Sequence, residues 1–329
     1  MAEVTHNYNH SFYYDEQDQR HIWPGYDAFP QTDSAISYIR RQQDKPFLLV
    51  LSWGPPHDPY FTAPDKFQQM YDRQKINLRP NIPAALEDSA RRVLASYYAH
   101  CSALDQALGE LLETLEQQGI ADNTILVFTS DHGDMLLSKG QLKKQRPWDE
   151  SMLVPLLVRY PAALGRRAQE KNQPINTPDL LPTLLGLSGI EIPGTVEGRD
   201  LSGALKSGEE LPEDGALVIL PVPFHEWNFS KGGREYRAVR TRQYTYARDL
   251  SGPWLLYDNE QDPFQDHNLV GNPQFAQVQA RLEAMLQQKL KDTNDSFLPA
   301  DEYMTKWKYR YDGNDSLRPA SYYSALKKQ

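Results

Sequence analysis

The sequence contains very little cysteine: Cys101 is the single cysteine among 329 residues. One cysteine excludes a disulfide within the chain. It leaves the cellular compartment open, because secreted proteins need not contain disulfides.

Long apolar runs are lacking as well. The longest purely apolar stretches have the length of a strand, so the sequence predicts no membrane span. Residues 1–21 contain neither a basic region nor an apolar core of the kind that signal peptides have. As it stands, the sequence therefore predicts a cytoplasmic protein, unless a leader was encoded ahead of it.

The chain also lacks an excess of positive charge, since its formal net charge is −9. This balance gives no electrostatic support to nucleic-acid binding, and we expect no nucleic-acid partner. A hydrophobic content of 40% and a charged content of 24% are ordinary for a globular protein. The length suffices for one large domain and a smaller one.

Residues 124–155 carry the densest chemistry. An apolar run at 125–128 predicts a short buried strand, and Asp131 and His132 follow it. Ligands of open α/β sheets gather at the carboxyl ends of the strands, which is where this pair would lie. With Lys143 and Lys144 further on, the segment offers an oxygen ligand, an imidazole and two ammonium groups. These groups suit a divalent cation that holds an anionic oxygen.

A second strand end carries another candidate. Residues 47–53 are apolar except for one serine, which predicts a strand buried on both faces of a parallel sheet. The following turn, at 54–60, places His57 between prolines that stiffen the backbone. A lone histidine in such a turn is by default structural, and an isolated Asp-His-Gly is more often a turn than a metal site.

Helical spacing and caps predict three further helices. One begins near 32–34 and ends at Arg40 and Arg41, and another covers 85–118, with Cys101 on its buried apolar face. Asn176-Thr177-Pro178-Asp179 predicts the capped start of a helix that ends at Gly189.

The C-terminal part predicts an antiparallel sheet. Its strands are expected at 216–220, 236–241, 244–248 and 254–257, because the turns between the later ones are short. A closing helix should cover one face of that sheet. We therefore divide the chain into a catalytic core at 1–207 and a C-terminal subdomain at 208–329.

Several ordered motifs together resemble the sulfatase family of the alkaline phosphatase superfamily. They are T-S-D-H-G-D at 129–134, Gly140, Lys144, W-D-E-S at 148–151, V-P at 154–155 and P-H-D-P-Y at 56–60. The resemblance implies an α/β fold: an alkaline-phosphatase-like, mostly parallel sheet flanked by helices, with a smaller C-terminal antiparallel α+β subdomain.

The resemblance also implies roles for individual residues. Asp131 and His132 would hold a divalent cation, Ca²⁺ by family precedent, with Mn²⁺ or Mg²⁺ as alternatives. Lys144 would contact the sulfate, with Lys143 as the alternative substrate-binding residue, and His57 would also lie at the sulfate. An ammonium group can neutralise charge on sulfuryl oxygens, and an imidazole can donate to the leaving oxygen.

Other parts of the family pattern have no match. Missing are a strand with two further aspartate ligands, the Cys-x-Pro-x-Arg motif that yields formylglycine, and a Gly-Lys-Trp-His-x-Gly segment. Residues 101–105 begin like the nucleophile motif, but Asp105 stands where the arginine belongs. We therefore expect no nucleophile in this chain and interpret it as N-terminally truncated.

The predicted function is a sulfatase-type hydrolase of small-molecule or carbohydrate sulfate esters. One alternative is a non-catalytic sulfatase-like remnant, and another is a phosphonate or phosphate ester hydrolase of the same superfamily. Six residues are candidates for substrate selection at the mouth of the site: His6, His10, Tyr13, Lys66, His225 and Trp227. The sequence leaves the oligomeric state open.

Overall fold

The computed structural model describes residues 7–42, 45–312 and 316–319. The α-helices in these ranges are α1 Ala28–Arg41, α2 Asp65–Gln68, α3 Glu87–Gln117, α4 Asp149–Met152, α5 Pro161–Leu164, α6 Leu180–Ser188, α7 Ser202–Ser207, α8 Ala276–Asp292 and α9 Ala300–Trp307. The strands are β1 Phe12–Tyr14, β2 Arg20–Ile22, β3 Leu126–Thr129, β4 Leu156–Arg159, β5 Ala216–Leu220, β6 Tyr236–Arg240, β7 Tyr244–Asp249, β8 Gly252–Asp258, β9 Tyr309–Tyr311 and β10 Leu317–Pro319.

The chain forms two compact units that interleave along the sequence. Unit 1 comprises residues 1–126, 136–142 and 158–165, and unit 2 comprises residues 127–135, 143–157 and 166–329. The division of the sequence at residue 207 stays a prediction.

The core of unit 1 is built around α3, against which α1 packs. The buried face of α3 is lined by small side chains: Ala99, Ala103 and Ala107 are fully buried. Residues four apart lie on one face of a helix, so these alanines form a stripe that lets the neighbouring helix approach closely. Ala35 and Ile39 of α1 belong to the same apolar cluster as Leu111 of α3.

The prediction that Cys101 is buried in this helix was wrong. The structure places Cys101 on the exposed side of α3. A residue two positions from Ala99 or Ala103 lies about 200° around the helix from it, on the opposite face. The prediction took the face of α3 with the bulky apolar residues as the buried face. In the structure the buried face is the one that carries the alanines.

The predicted start of the first helix was also wrong. Helix α1 begins at Ala28, so the expected cap residues lie inside it. Thr32 and Ser34 donate their hydroxyls back to the carbonyls of Ala28 and Pro30, at 2.6 and 2.9 Å. Pro30 is tolerated because the first turn of a helix leaves its backbone N–H groups without helical partners.

Residues 47–53 do not form the predicted doubly buried strand. Within the described residues they carry no strand pairing. Phe47, Leu51 and Trp53 pack on the α1–α3 cluster, whereas Leu48 and Val50 are 83% and 80% exposed. The segment thus buries one side and leaves the other uncovered. Its composition was compatible with burial on both faces, but burial also requires neighbours on both faces.

The main sheet of unit 2 is antiparallel, in the order β5-β6-β7-β8. Ala216 pairs with Arg240, and Tyr244 pairs with Asp258, so each strand lies beside its neighbour in sequence. Helix α8 packs on this sheet through Leu282, Leu286 and Leu290. The predicted C-terminal strands and closing helix are confirmed to within a few residues.

The capped helix is confirmed too. The Asn176 N–H donates to the Asp179 carboxylate at 3.1 Å, and Gly189, whose φ is +69°, directly follows α6. Strands β3 and β4 pair in a two-stranded sheet. None of the helices in the described ranges combines the length and the apolar character that crossing a membrane requires.

Candidate active site

Asp131 and His132 lie directly after β3, as predicted. The Oδ2 atom of Asp131 is 3.5 Å from Nε2 of His132. Two ligands that each lie about 2.1–2.5 Å from one cation are separated by about 3–3.5 Å when they are adjacent in its shell. Asp131 is 84% exposed at its side chain, so it is open to an ion. This donor pair fits two positions of a divalent cation.

The orientation of the His132 ring supports the same role. Its Nδ1 lies 2.8 Å from the Gly133 carbonyl oxygen, which can only accept a hydrogen bond. Nδ1 therefore carries the ring proton, and the lone pair of a neutral imidazole is on Nε2, the atom that faces Asp131. A histidine held in this tautomer is prepared to bind a metal through Nε2.

Gly133 is required by close backbone packing. Its N–H donates to the Ser151 carbonyl at 2.9 Å, and a Cβ at this position would lie 2.1 Å from the Glu150 carbonyl oxygen. Any side chain would displace that backbone. The glycine of the D-H-G motif and the acidic turn at 148–151 therefore form one structural unit.

The loop after Gly133 returns to the lysines through backbone hydrogen bonds. The Met135 N–H donates to the Lys143 carbonyl at 2.8 Å, and the Lys143 N–H donates to the Asp134 carboxylate at 2.9 Å. Lys143 has a φ of +65° and Gln145 a φ of +75°. Such left-handed conformations are unfavourable for residues other than glycine and are often found at functional sites.

Lys143 and Lys144 converge on one carboxylate. The Nζ atom of Lys143 is 3.1 Å from Oε1 of Glu226, and that of Lys144 is 3.2 Å from Oε2. The Glu226 side chain is only 8% exposed. Burial alone raises the pKa of this carboxyl, but the Lys144 charge and the Lys143 hydrogen bond outweigh it and lower the pKa below its ordinary value. Glu226 is therefore ionised at neutral pH.

Arg146 contacts the backbone of both Lys144 and Glu226. It is 5% exposed, donates to the Lys144 carbonyl, and its Nη2 lies 3.4 Å from the Glu226 carbonyl. Its guanidinium also lies 5.5 Å from the centre of the Trp227 ring. The structure therefore gives Arg146 a positioning role.

The acidic turn has a structural role as well. Asp149, the first residue of α4, accepts from Nε and Nη2 of Arg240 at 2.9 and 2.8 Å. Gln265 donates to the same carboxylate at 3.2 Å. These bonds attach the turn to β6.

In unit 1, His57 lies in the turn that follows residues 47–53. Its Nδ1 is 2.9 Å from the Asp58 carbonyl oxygen and 3.0 Å from Oδ1 of Asp58. Both are acceptors, so Nδ1 carries the ring proton and the lone pair of the neutral ring is on Nε2. The predicted role of His57 stays a prediction.

Tyr8 organises the backbone of this turn. Its hydroxyl lies 3.2, 2.8 and 3.2 Å from the carbonyl oxygens of Gly54, His57 and Asp58. Burial, and then the Asp58 charge, raise the pKa of the Tyr8 phenol. A Cβ on Gly54 would lie 2.6 Å from the Tyr8 ring, so the glycine makes room for the tyrosine.

The six candidates for substrate selection lie in different environments. Trp227 is 5% exposed and packs in the core of the C-terminal sheet. The expectation that its ring contacts the substrate was therefore wrong. His225 and Lys66 are exposed, as is His10, and Tyr13 is stacked on Trp23. His6 lies outside the described residues.

Sequence reasoning missed Glu226 and Tyr8. Glu226 lies between His225 and Trp227, both of which drew attention, and more than 80 residues separate it from the lysines. Nothing local in the sequence indicates that contact. Tyr8 is one of several aromatic residues in an irregular segment, so its pattern carried no specific signal.

Two family models match the chain. The sulfatase model covers residues 2–190, and the model described as N-sulphoglucosamine sulphohydrolase, C-terminal, covers residues 139–292. Members of the sulfatase family generally use a divalent metal.

Two curated relatives are sulfatases. An ulvan-active sulfatase of Formosa agariphila is 41% identical over 96% of this chain and 62% of its own length. An N-acetylglucosamine-6-O-sulfatase of Bacteroides thetaiotaomicron is 28% identical over 63% of this chain and 37% of its own length. The chain thus spans less than two thirds of the curated relatives that it matches here.

The chain also resembles a solved structure. A protein from the glycosaminoglycan metabolism of Bacteroides thetaiotaomicron superposes with a TM-score of 0.78 at 26% identity, over 92% of this chain and 66% of its own. The fold is therefore the predicted alkaline-phosphatase-like one. Since the sulfatase model covers more than half of its residues, the chain belongs to the sulfatase family.

Proposed function

We propose that the protein hydrolyses sulfuric esters of carbohydrates, with a divalent cation at Asp131 and His132. The observation that carries this proposal is the convergence of Lys143 and Lys144 on the Glu226 carboxylate, at 3.1 and 3.2 Å. Two ammonium groups that hold one pair of anionic oxygens are arranged to hold sulfuryl oxygens as well. The sulfated-sugar substrate class is supported by the names of the relatives.

The reaction breaks the bond between sulfur and the ester oxygen, and water, the net co-substrate, supplies the oxygen of the new bond to sulfur. The products are the free hydroxyl of the sugar, inorganic sulfate and a proton. Lys144, with Lys143 beside it, stabilises the negative charge on the sulfuryl oxygens. In its doubly protonated form, with the Nδ1–H held by Asp58, His57 supplies the Nε2 proton to the leaving oxygen. Neutralising the leaving oxygen and the sulfuryl group together lowers the barrier to cleavage.

The cation is the third part of the proposed site. Asp131 and His132 supply two ligands, and the carboxylate suits Ca²⁺ as well as Mn²⁺ or Mg²⁺. When bound, the cation supplies positive charge to the reacting group. The His132 tautomer, fixed by the Gly133 carbonyl, supports this assignment.

The test is sulfate release from sulfated mono- and oligosaccharides, measured by ion chromatography with purified protein. We expect release with Ca²⁺ and its loss in Lys144→Met. Lys206→Met is the matched control, because Lys206 is an exposed lysine that donates to the Gly186 carbonyl in the same unit. Equal loss in both variants would contradict the role of Lys144.

Matched phosphate and phosphonate esters separate the alternative chemistry. Faster release from those esters would favour a phosphonate or phosphate ester hydrolase. Binding of the sulfated sugar without any release of sulfate would favour a non-catalytic sulfatase-like protein.

The metal assignment has a readout other than activity. Thermal unfolding after chelation should shift upward when Ca²⁺ is added, because a ligand that binds the folded state stabilises it. Asp131→Asn should abolish the shift, whereas Asp301→Asn, an exposed aspartate on α9, should retain it. A shift that persists in Asp131→Asn would contradict the site.

A further inference from the structure

The Glu226 carboxylate is a buried counter-charge to the two lysines. It contacts both Nζ atoms, and its own side chain is 8% exposed, whereas those of Lys143 and Lys144 are 30% and 22% exposed. The negative group thus lies behind the positive ones relative to solvent. An incoming anion meets the lysines while Glu226 stays in place.

The loop that carries Glu226 is firmly built. Nη2 of Arg146 lies 3.4 Å from the Glu226 carbonyl, and Nζ of Lys231 donates to the His225 carbonyl at 2.8 Å. A Cβ on Gly233 would lie 1.8 Å from the Trp227 carbonyl oxygen, so the loop closes tightly on itself. Glu226 is therefore a fixed charge and not a mobile surface side chain.

The charges of the cluster do not cancel. Two ammonium groups and one carboxylate leave one net positive charge in this group of three residues. A sulfate ester carries one negative charge, whereas the inorganic sulfate released from it carries two. The product therefore interacts with any fixed charge about twice as strongly as the substrate does.

We propose that Glu226 lowers the affinity of the lysine pair for inorganic sulfate more than for the sulfate ester, and so promotes product release. This inference rests on the proposed function, in which the lysine pair holds the sulfuryl group. The repulsion from Glu226 acts on both anions, but its free energy scales with their charge. Glu226 is thus a residue that tunes specificity for substrate over product.

The scaling predicts a quantitative relation. Removing the charge of Glu226 should strengthen the binding of a monoanionic ester by about threefold and that of dianionic sulfate by about tenfold, the square of the first factor. A purely structural role would change both affinities in the same proportion, and in the direction of weaker binding.

Isothermal titration calorimetry of the purified chain tests this relation without turnover. The probes are sodium sulfate and sodium methyl sulfate, and the variants are Glu226→Gln, which keeps the shape, and Glu226→Ala. Circular dichroism verifies folding, and either folded variant suffices for the comparison. Glu260→Gln is the matched control, since Glu260 is a half-exposed glutamate that faces Arg242 at 3.8 Å in the same unit.

The outcomes separate this inference from the proposed function. A larger gain for sulfate than for methyl sulfate, absent in Glu260→Gln, supports the inference. Unchanged or equally changed affinities overturn it. The proposed function still stands if Lys144→Met weakens the binding of both anions. If neither anion binds the wild-type chain, both the inference and the anion-holding role of the lysines are wrong.

Discussion

The C-terminal sheet and the two site segments, residues 47–59 and 126–146, are stabilised in different ways. In the sheet, β5 to β8 pair with their sequence neighbours, and α8 covers one face with fully buried leucines. The segment at 47–59 instead leaves Leu48 and Val50 exposed, and depends on the Tyr8 hydroxyl to hold its turn. The segment at 126–146 depends on backbone and ion-pair contacts around Gly133 and Lys143.

The difference shows what an apolar pattern can and cannot specify. Antiparallel strands joined by short turns pair with the strand next to them in sequence. Local sequence therefore specifies most of their burial. A strand with distant partners has the same composition but needs other parts of the chain to cover it. The two site segments depend on such distant partners, and in them polar contacts replace apolar packing.

The largest expected effect lies in the sheet. Leu286→Ala should lower the free energy of unfolding by about 2–5 kcal/mol, because Leu286 of α8 is fully buried against the sheet. Leu48→Ala, at 83% exposure, should change it by less than about 0.5 kcal/mol. Urea unfolding followed by circular dichroism measures both. Similar losses in the two variants would remove the contrast between the regions.

The second prediction concerns the ion pair that joins β6 to the segment that follows α8. Nη2 of Arg237, which is 1% exposed, donates to Oδ1 of Asp295 at 3.0 Å and to the Tyr303 hydroxyl at 2.9 Å. Asp295→Asn should cost about 3 kcal/mol at pH 7, because it leaves a buried charge without its counter-ion.

The same pair predicts acid sensitivity. Burial alone raises the pKa of the Asp295 carboxyl, but the Arg237 hydrogen bond and others outweigh it and hold that pKa below its ordinary value. A lowered folded-state pKa adds stability above the unfolded value of about 3.9, and this stability is lost as the pH falls through the folded value. Urea midpoints from pH 7 to pH 3 should therefore fall less in Asp295→Asn than in wild type. Asp292→Asn, at the exposed end of α8, should keep the wild-type slope.

The third prediction addresses the second site segment, residues 126–146. Lys144→Met should lower kcat/KM for a sulfated sugar by about a hundredfold, the typical loss when one group that stabilises transition-state charge is removed. Its melting temperature should stay near wild type, because Lys144 lies in a polar cluster and not in the apolar core. Steady-state kinetics and thermal melts measure the two quantities. A large fall in stability with unchanged activity would reverse the distinction drawn between sheet and site.

The smallest effect is expected in the first site segment, residues 47–59. Tyr8→Phe removes a buried hydroxyl from three carbonyls and should cost about 1 kcal/mol. Hydrogen exchange should speed up at His57, whose N–H donates to the Gly54 carbonyl within this turn. Tyr38→Phe on α1 removes the same group elsewhere in unit 1 and serves as control. Unchanged exchange at His57 would show that the turn is held by other contacts.

Local sequence specified much of this protein. Strands β5 to β8, helices α3, α6 and α8, and the place of Asp131 and His132 after β3 follow from apolar spacing, caps and turns. These features depend on residues close together in the chain, so their patterns are visible in a window of the sequence. The ordered motifs also sufficed to indicate the sulfatase family.

Tertiary structure alone decided the rest. The contact of Glu226 with two lysines more than 80 residues away, the hold of Tyr8 on the His57 turn, and the exposure of Cys101 and Leu48 all depend on which surfaces meet. A sequence window records the composition of each surface but not its partner. Burial, counter-charge and hydrogen bonding are properties of pairs, and the pairs form only when the chain is folded.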